Sequence, residues 1–285
     1  MKPQASSGLL CLSIERLAAA GRWNEARPSA ERLSQELLSK GVGPYWLGLI
    51  ELQAGNAISA FRQLDKALER NPSVLWVHLN LGLCYAILRQ YTLFEREMQW
   101  IIERYPDQPL AYYYLGRHLS KNKEDIDHGL VLLRKAVSLN PSDFRARYHL
   151  GYLFELKNHY QEAKAEYEKA VDGVAASGSS YSWPLQGLAR LYLQQANLGE
   201  ALTYAQRAVK AEPKLTDSQL LLSKIYLQSG ELGQAITSLE RAVALDPTDP
   251  SPHYLLSRVY SRMKRPADAA RVLSRYSELK AAYGD

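Results

Sequence analysis

Residues 148–170 read YHLGYLFELKNHYQEAKAEYEKA, and this stretch holds two helical patterns in succession. In the first pattern, Leu150 is followed by the small residue Gly151, and the aromatic residue Phe154 comes three positions later. In the second, Ala163 and Ala170 lie seven positions apart and therefore fall on one face of a helix. Polar residues at 157–159 separate the two patterns. The stretch predicts two helices joined by a short turn.

The same pair of patterns recurs along the chain. Leucine, a small residue and usually an aromatic residue follow one another in seven segments: WLGLIE (46–51), LNLGLCY (79–85), YYLGRHL (113–119), HLGYLF (149–154), GLARLY (187–192), LLSKIY (221–226) and LLSRVY (255–260). A proline closes most of the second patterns, at Pro72, Pro106, Pro141, Pro213 and Pro247. These prolines are 34, 35, 72 and 34 residues apart, and 72 is two units of 34 plus four residues. The chain therefore has a period of 34 residues.

A 34-residue period with this pattern resembles the tetratricopeptide repeat family. The resemblance covers nearly the whole chain. It implies an all-α fold, a right-handed superhelical solenoid of about eight tandem helix-turn-helix units. It also implies that the first helix of each repeat lines a concave groove.

The period predicts one solenoid over residues 1–285. We place its repeats at 7–40, 41–74, 75–108, 109–143, 144–177, 182–215, 216–249 and 250–283, and we number the positions within each repeat from 1. The fourth repeat has one extra residue in its inter-helix turn, within KNKEDID (121–127). The Gly/Ser-rich stretch at 172–184 is a candidate flexible segment.

Small residues at position 8 are expected where the two helices of a repeat approach each other closely. They are Gly48, Gly82, Gly116, Gly151, Ala189, Ser223 and Ser257. Alanine at positions 20 and 27 is expected at the contacts within a repeat and with the next repeat. Because protein interiors are close-packed, larger side chains at these positions should destabilise the fold.

The composition is that of a globular protein, with 285 residues, 46% hydrophobic residues and a net charge of +5. Charge is spread along the chain rather than concentrated, which disfavours nucleic acid as a partner. No stretch has the roughly 18 apolar residues of a membrane span. A cytoplasmic location is therefore predicted, or a periplasmic or secreted one if a signal segment was removed.

Histidine and glutamate are frequent in 148–170, but the repeat places them as ordinary helix residues. His149 lies in the first helix and His159 in the turn, whereas Glu162 and Glu166 lie on the outer side of the second helix. A solvated helix face explains them better than a metal site. His78 and His253 occupy position 4, normally an aromatic packing site, and are expected to be packing substitutes. No metal site is predicted.

The sequence contains no P-loop, dinucleotide-binding, zinc-protease or serine-hydrolase motif. The eight repeats also leave no residues for an appended catalytic domain. We therefore predict that the chain is not an enzyme and has no cofactor. Cys11 and Cys84 lie two repeats apart, too far for a disulfide, and both are expected to be ordinary buried thiols.

The predicted groove is aromatic and apolar in its first half and basic in its second half. If functional, it suits a protein or peptide with aromatic or aliphatic anchors and acidic residues. The aromatic residues have packing within a repeat as their alternative role, and the basic residues a solvated surface. The candidate groove residues are Tyr45, Trp46, Trp76, Asn80, Tyr113, Arg117, Tyr148, Tyr152, Arg190, Lys224, Tyr254, Arg258 and Arg262.

The sequence thus predicts a protein-interaction scaffold or adaptor that binds a peptide or protein segment in its groove. The alternative is a non-catalytic subunit that recruits substrates to an enzyme on another chain, such as a glycosyltransferase or peptidase. Activity that appears only with a co-purifying partner would favour the alternative.

Overall fold

The computed structural model describes residues 4–36, 41–121 and 125–283, which form sixteen α-helices and no strand. The helices are α1 (Gln4–Ala19), α2 (Trp23–Glu36), α3 (Val42–Gln53), α4 (Ala57–Arg70), α5 (Leu75–Ile87), α6 (Tyr91–Arg104), α7 (Pro109–Leu119), α8 (Ile126–Leu139), α9 (Phe144–Leu156), α10 (Tyr160–Ser177), α11 (Trp183–Gln194), α12 (Leu198–Ala211), α13 (Thr216–Ser229), α14 (Leu232–Leu245), α15 (Ser251–Arg262) and α16 (Pro266–Tyr283). The all-α prediction is confirmed.

Consecutive helices pack as pairs. The pairs α1–α2, α3–α4, α5–α6, α9–α10, α11–α12, α13–α14 and α15–α16 are each in extensive contact. Parts of two sequence predictions lie outside the described residues. They are residues 37–40, at the end of the first predicted repeat, and residues 122–124, in the turn with the extra residue.

The chain divides into two compact units, an N-terminal unit (residues 1–119) and a C-terminal unit (residues 120–285). The first contains α1 to α7 and the second α8 to α16. The boundary falls between the two helices of the predicted repeat 109–143. The prediction of one solenoid over 1–285 stays a prediction.

Small residues at position 8 lie at the contact between the two helices of a repeat. A Cβ on Gly48 would come within 2.6 Å of Leu64 Cγ, and a Cβ on Gly151 within 2.8 Å of Tyr167 Cδ1. These distances are shorter than van der Waals contact, so only a residue without a side chain fits. The helix–helix contacts predicted at these two glycines are confirmed.

We define the stacking face of a second helix as its residues at positions 20, 24 and 27, and this face is buried in each of the first seven second helices. In α4 this face is Ala60, Leu64 and Ala67, and it forms one core cluster with Val77, Leu81 and Cys84 of α5. All residues of the other six stacking faces are buried as well. These faces are Ala26, Ala30 and Leu33 in α2; Phe94, Met98 and Ile101 in α6; Gly129, Leu133 and Ala136 in α8; Ala163, Tyr167 and Ala170 in α10; Ala201, Ala205 and Ala208 in α12; and Ala235, Leu239 and Ala242 in α14. Repeat-to-repeat packing thus comes from one apolar face per second helix.

The turn after the first helix has the same backbone geometry in seven repeats. Its central residue has a positive φ, between +57° and +85°, and the next N–H donates to the carbonyl five residues earlier at 2.8–2.9 Å. This pattern is the Schellman ending of a helix. The central residues are Gly21, Gly55, Arg89, Asn158, Ala196, Gly230 and Lys264.

The Gly/Ser-rich stretch at 172–184 begins within α10 and ends within α11. Gly178 ends α10 in the left-handed region, at φ +67°. The Tyr181 ring packs on Phe144 at 5.5 Å and on Tyr148 at 5.9 Å between ring centroids. The Ser182 amide donates to Glu212 Oε2 at 2.8 Å. The stretch is therefore held by specific contacts, and its predicted flexibility stays a prediction.

Candidate protein-interaction surface

The predicted groove residues all lie on first helices. In the N-terminal unit they occupy α3, α5 and α7, and in the C-terminal unit α9, α11, α13 and α15. Neighbouring first helices also contact each other directly, α3 with α5, α9 with α11, α11 with α13 and α13 with α15. Within each unit these helices therefore form a layer of their own, which we call the first-helix layer.

In the N-terminal unit this layer exposes aromatic rings. Trp76 is 46% exposed, and Asn80 Nδ2 donates to the Trp76 carbonyl at 2.7 Å. Tyr45 and Trp46 are half-buried and pack edge to face at 5.6 Å between centroids. Tyr113, by contrast, is buried. Trp76 and Trp46 are accessible to a partner, whereas Tyr113 serves packing.

Aliphatic residues extend this surface. Leu49 on α3 and Leu83 on α5 both occupy position 9 and are half-buried. Ile87, four residues after Leu83 and so on the same face of α5, is 56% exposed. Arg117, at position 9 of α7, is exposed. The surface of α3 and α5 is thus apolar, and Ile87 belongs to it although we did not predict it; its spacing from Leu83 was the available signal.

In the C-terminal unit two exposed cations of this layer occupy the same repeat position, position 9. Lys224 on α13 and Arg258 on α15 are 34 residues apart and both exposed. In the described part of the chain neither side chain forms an ion pair or a hydrogen bond. Tyr254, one helical turn before Arg258, is 46% exposed. These three residues combine uncompensated positive charge with an accessible ring.

Arg190 differs from these cations because its charge is neutralised within the fold. Its Nε and Nη2 donate to the two carboxylate oxygens of Glu155, both at 2.8 Å, and Tyr167 also donates to Glu155 at 2.6 Å. Burial opposes the charge of Arg190, but the hydrogen bonds to Glu155 outweigh burial and its pKa is raised. Arg190 is therefore a fold-stabilising residue and a poorer binding cation than Lys224.

The remaining predicted residues of the C-terminal unit also contribute to the fold. Arg262 Nη1 donates to the Leu227 carbonyl near the end of α13 at 2.5 Å. Tyr148 is buried, and burial raises its pKa to about 12. Its ring lies 5.8 Å from Tyr167. Tyr152 is half-buried.

Three family models match the sequence. The model described as "TPR repeat" matches residues 224–264, and two described as "Tetratricopeptide repeat" match residues 122–180 and 185–215. These matches fall on the helix pairs described above. The chain is a tetratricopeptide repeat protein.

Two curated proteins are similar to this tetratricopeptide repeat protein. Tetratricopeptide repeat protein 37 of Xenopus laevis is 26% identical over 190 residues, which is 64% of this chain and 12% of that protein. The cell division cycle protein 27 homolog of Caenorhabditis elegans is 30% identical over 121 residues, 42% of this chain and 15% of that protein. The chain thus spans less than a sixth of either relative.

Solved structures share the fold. The APC/C hetero-tetramer Cut9–Hcn1 has a chain that superposes with a TM-score of 0.77 at 18% identity, over 86% of this chain and 48% of that one. The type IV pilus biogenesis factor PilW gives 0.65 at 18% identity, over 75% and 96%. At these identities the likeness shows the fold alone. Proteins with this fold are generally non-catalytic interaction scaffolds.

The histidines and glutamates of 148–170 are held by contacts within the tetratricopeptide repeats. His149 packs on Tyr148 at 4.9 Å between ring centroids. His159 and Glu162 form an exposed pair at 3.5 Å. Glu166 was predicted on a solvated face, but it is half-buried and accepts from Arg147 at 2.8 Å. Arg147 is at position 4 of the first helix and Glu166 at position 23 of the second. Side chains at these two positions are in contact, so Arg147 shields Glu166 from solvent.

His78 uses the same pair of positions. It is buried, as expected for a packing substitute, and its ring stacks on Trp100 at 3.5 Å between centroids. Its Nδ1 lies 2.6 Å from Glu97 Oε2, and its Nε2 lies 2.9 Å from the Pro72 carbonyl. A carbonyl only accepts, so Nε2 carries a proton. Sequence reasoning missed Glu97, which is 19 residues after His78, the same spacing as Arg147 and Glu166.

Among the described residues no group of three or more candidate metal ligands occurs. Cys11 and Cys84 are both free thiols. Cys84 is completely buried, as predicted, but the prediction of a buried thiol is wrong for Cys11, which is half-buried. No helix of the described chain is both long and apolar enough to cross a membrane.

Proposed function

We propose that this protein is an adaptor that binds a peptide or protein segment on its first-helix layer. The observation that carries the proposal is the pair Lys224 and Arg258, two exposed cations at the same position of successive repeats that form no ion pair with any residue the structure describes. A cation that the fold has not neutralised is available to a ligand. The proposed partner has acidic residues that meet this pair.

The N-terminal unit would bind the apolar part of a partner. Trp76 and Ile87 are exposed by 46% and 56%, and Leu83 lies between them on α5. Aromatic and aliphatic anchors bury large areas on binding, and tryptophan loses little conformational entropy. The proposed partner therefore also carries aromatic or aliphatic residues.

The chemistry of the C-terminal unit fits carboxylates. The guanidinium of Arg258 can donate two parallel hydrogen bonds to one carboxylate, whereas the Lys224 ammonium acts as a point charge. Tyr254 adds an aromatic contact beside them. This surface binds without a catalytic group, and the proposal requires no cofactor.

The test is a charge reversal that leaves the fold intact. Lys224→Glu with Arg258→Glu changes two exposed side chains that form no ion pair or hydrogen bond within the described ranges, whereas a change at Arg190 would break the ion pair with Glu155. The matched control is Lys210→Glu with Arg241→Glu, two exposed cations on the second helices α12 and α14. Both variants change the net charge equally.

The partner is first recovered by affinity capture and mass spectrometry, and its Kd is then measured by calorimetry at low and high salt. We expect the Lys224/Arg258 variant to bind at least about tenfold more weakly at low salt and to lose most of the salt dependence. The control should bind as the wild type does. Equal binding by the two variants would rule out the proposed surface.

A further inference from the structure

Arg147 bonds to two other parts of the chain at once. It occupies position 4 of α9, and its Nε donates to the carbonyl of Pro141, the proline that closes the preceding repeat, at 2.7 Å. Its Nη1 donates to Oε2 of Glu166, at position 23 on α10, at 2.8 Å. We call this arrangement the position-4 bridge. It joins the closing turn of one repeat to both helices of the next, and it needs a side chain with two donors.

His78 forms the equivalent bridge in the N-terminal unit. It occupies position 4 of α5, and its Nε2 lies 2.9 Å from the carbonyl of Pro72, which closes the preceding repeat. Its Nδ1 lies 2.6 Å from Oε2 of Glu97, at position 23 on α6. The sequence separations are the same as at Arg147, six residues to the proline and 19 residues to the glutamate. His78 therefore stands where the other bridge has an arginine.

Both ring nitrogens of His78 need a proton to complete this bridge. A carbonyl only accepts a hydrogen bond, so Nε2–H donates to Pro72. A carboxylate also only accepts, so the contact between Nδ1 and Glu97 requires a second proton, on Nδ1. An imidazole with a proton on each nitrogen is the imidazolium cation. The bridge at His78 is thus built for a cation, as the bridge at Arg147 is.

The surroundings of His78 make this proton important. The side chains of His78 and Glu97 are only 8% and 11% exposed, so little water can replace a lost bond. The His78 ring stacks on Trp100 at 3.5 Å between centroids, and an aromatic face favours a cation. Loss of the Nδ1 proton would leave a nitrogen lone pair against a carboxylate, and burying two acceptors that face each other is unfavourable.

We propose that His78 is a pH-sensitive switch, which holds α5 against α6 and against the closing turn of the preceding repeat only while both of its ring nitrogens are protonated. The fold favours the protonated form, so this contribution to stability is complete at low pH and is lost as the pH rises and Nδ1 loses its proton. Arginine keeps its charge over the same range. The bridge at Arg147 is the counterpart that does not respond to pH.

The other ionisable groups near the pair respond differently. On α5, burial raises the pKa of Cys84 to about 11, and burial followed by the charge of Glu97 raises the pKa of Tyr85. Both groups therefore keep their protons up to pH 9. Asp65 on α4 and Arg96 on α6 also act on Tyr85, and carboxylates and guanidiniums ordinarily keep their charges between pH 6 and pH 9.

Ionisable groups on the remaining neighbours form pairs of their own. Arg104 on α6 lies 4.6 Å from the centre of the Trp100 ring. Glu51 on α3 lies 2.7 Å from Arg27. His118 on α7, which packs on α6, lies 3.1 Å from Glu95. His118 is a second histidine of the N-terminal unit, so a test must separate its response from that of His78.

The test exchanges the two bridging residues. His78→Arg should make the bridge in the N-terminal unit permanent, and Arg147→His should give the bridge between α9 and α10 the proton dependence of His78. Hydrogen exchange of the full chain at pH 6 and at pH 9, corrected for the intrinsic rate at each pH, gives the protection of each helix. His118→Gln is the control for the second histidine, and thermal melting at pH 6 checks that each variant folds.

We expect the protection of α5 and α6 in the wild type to fall at least about tenfold between pH 6 and pH 9, relative to that of α9 and α10. The fall should persist in His118→Gln and disappear in His78→Arg. In Arg147→His a fall should appear in α9 and α10. Equal responses of the two helix pairs in the wild type, or a response of α5 and α6 that survives in folded His78→Arg, would overturn the proposal.

NMR of the wild-type protein with 15N-labelled histidine provides a second test that needs no substitution. The signals of His78 are assigned by their contacts with the stacked Trp100 ring. At pH 6 both ring nitrogens should have the shifts of protonated nitrogens, and Nδ1 should lose its proton over the range in which α5 loses protection. An unprotonated Nδ1 at pH 6 would assign the shared proton to Glu97 and refute a cationic bridge.

Discussion

At the residue scale, the ion pair with Glu155 makes Arg190 part of the fold and separates it from the exposed cations Lys224 and Arg258. Arg190, Lys224 and Arg258 all occupy position 9, and Arg190 binds the residue at position 12 of the preceding repeat. That position is Glu155 for Arg190, but Leu193 and Leu227 for the other two. An acid 35 residues before a basic residue was the signal in the sequence. Position 9 considered alone makes the three cations look equivalent. The ion pair of Arg190 could not be predicted from that position, because it joins residues of two successive repeats.

Replacement of Glu155 by glutamine should destabilise the protein. The change leaves Arg190 with a neutral partner and replaces one of the two carboxylate oxygens with an NH2 group, which cannot accept a hydrogen bond from Arg190 or Tyr167. Breaking a buried ion pair costs roughly 3–5 kcal/mol, and since the Arg190 side chain is 31% exposed we expect about 2 kcal/mol. Urea denaturation measures the loss. Glu162→Gln, an exposed glutamate on α10, is the control, and an equal effect of both changes would contradict the assignment.

Cys84 and Cys11 should differ in reactivity. Burial raises the pKa of the Cys84 thiol to about 11, so at pH 8 only about a thousandth of it is thiolate, the reactive form. Burial, with Glu15 nearby, raises the pKa of Cys11 as well, but that side chain is half-buried rather than enclosed.

We expect iodoacetamide at pH 8 to modify Cys11 first and Cys84 only when the protein is unfolded in urea. Peptide mass spectrometry of the native and the urea-treated protein checks the order. Early modification of Cys84 in the native protein would show that the α5 core opens readily.

At the scale of the helices, the turns share one backbone geometry that residue preference predicts in only some of the repeats. Glycine occupies the left-handed turn position at Gly21, Gly55 and Gly230, and there the turn is readable from the sequence. Arg89, Ala196 and Lys264 occupy the same position in other repeats, although such residues rarely adopt positive φ. The 34-residue period predicted these turns, whereas residue preference alone would have missed them.

Glycine and alanine at this turn position should have opposite effects on stability. Gly230 has φ +85°, and a Cβ added there would have no other atom within 4 Å, so Gly230→Ala adds backbone strain without a clash. We expect a loss of about 1 kcal/mol in the free energy of unfolding. Ala196→Gly, at φ +57°, should add about 0.5–1 kcal/mol. Thermal and urea unfolding measure both, and changes of the same sign would refute this explanation.

For the whole molecule, stacking between neighbouring repeats makes stability local. Each second helix is buried by the next first helix, so a defect should spread mainly to adjacent repeats. The sequence predicted this framework well, because the alanines and glycines at the contacts recur with the period. It predicted the exposure of the candidate groove residues less well, since exposure depends on neighbours that the period does not specify, as Tyr113 and Tyr148 show by being buried.

Gly151→Leu tests this locality. The new side chain would clash with Tyr167, and we expect a loss of roughly 2–3 kcal/mol in the stability of the surrounding helices. Hydrogen exchange should show faster exchange in α9 to α11 and little change in α1 to α4. Uniformly faster exchange along the chain would show that the molecule unfolds as one cooperative body.

The short reach of the stacking contacts also bears on biosynthesis. Within each unit, helices contact their next or next-but-one neighbours, and the bonds from Arg190 to Glu155 and from Arg262 to Leu227 each span 35 residues. A ribosome adds roughly 5–20 residues per second, so a nascent repeat waits only seconds for the helix that covers it. The polypeptide can thus acquire its structure progressively as it emerges, and little apolar surface is left open to chaperones or to aggregation at any moment.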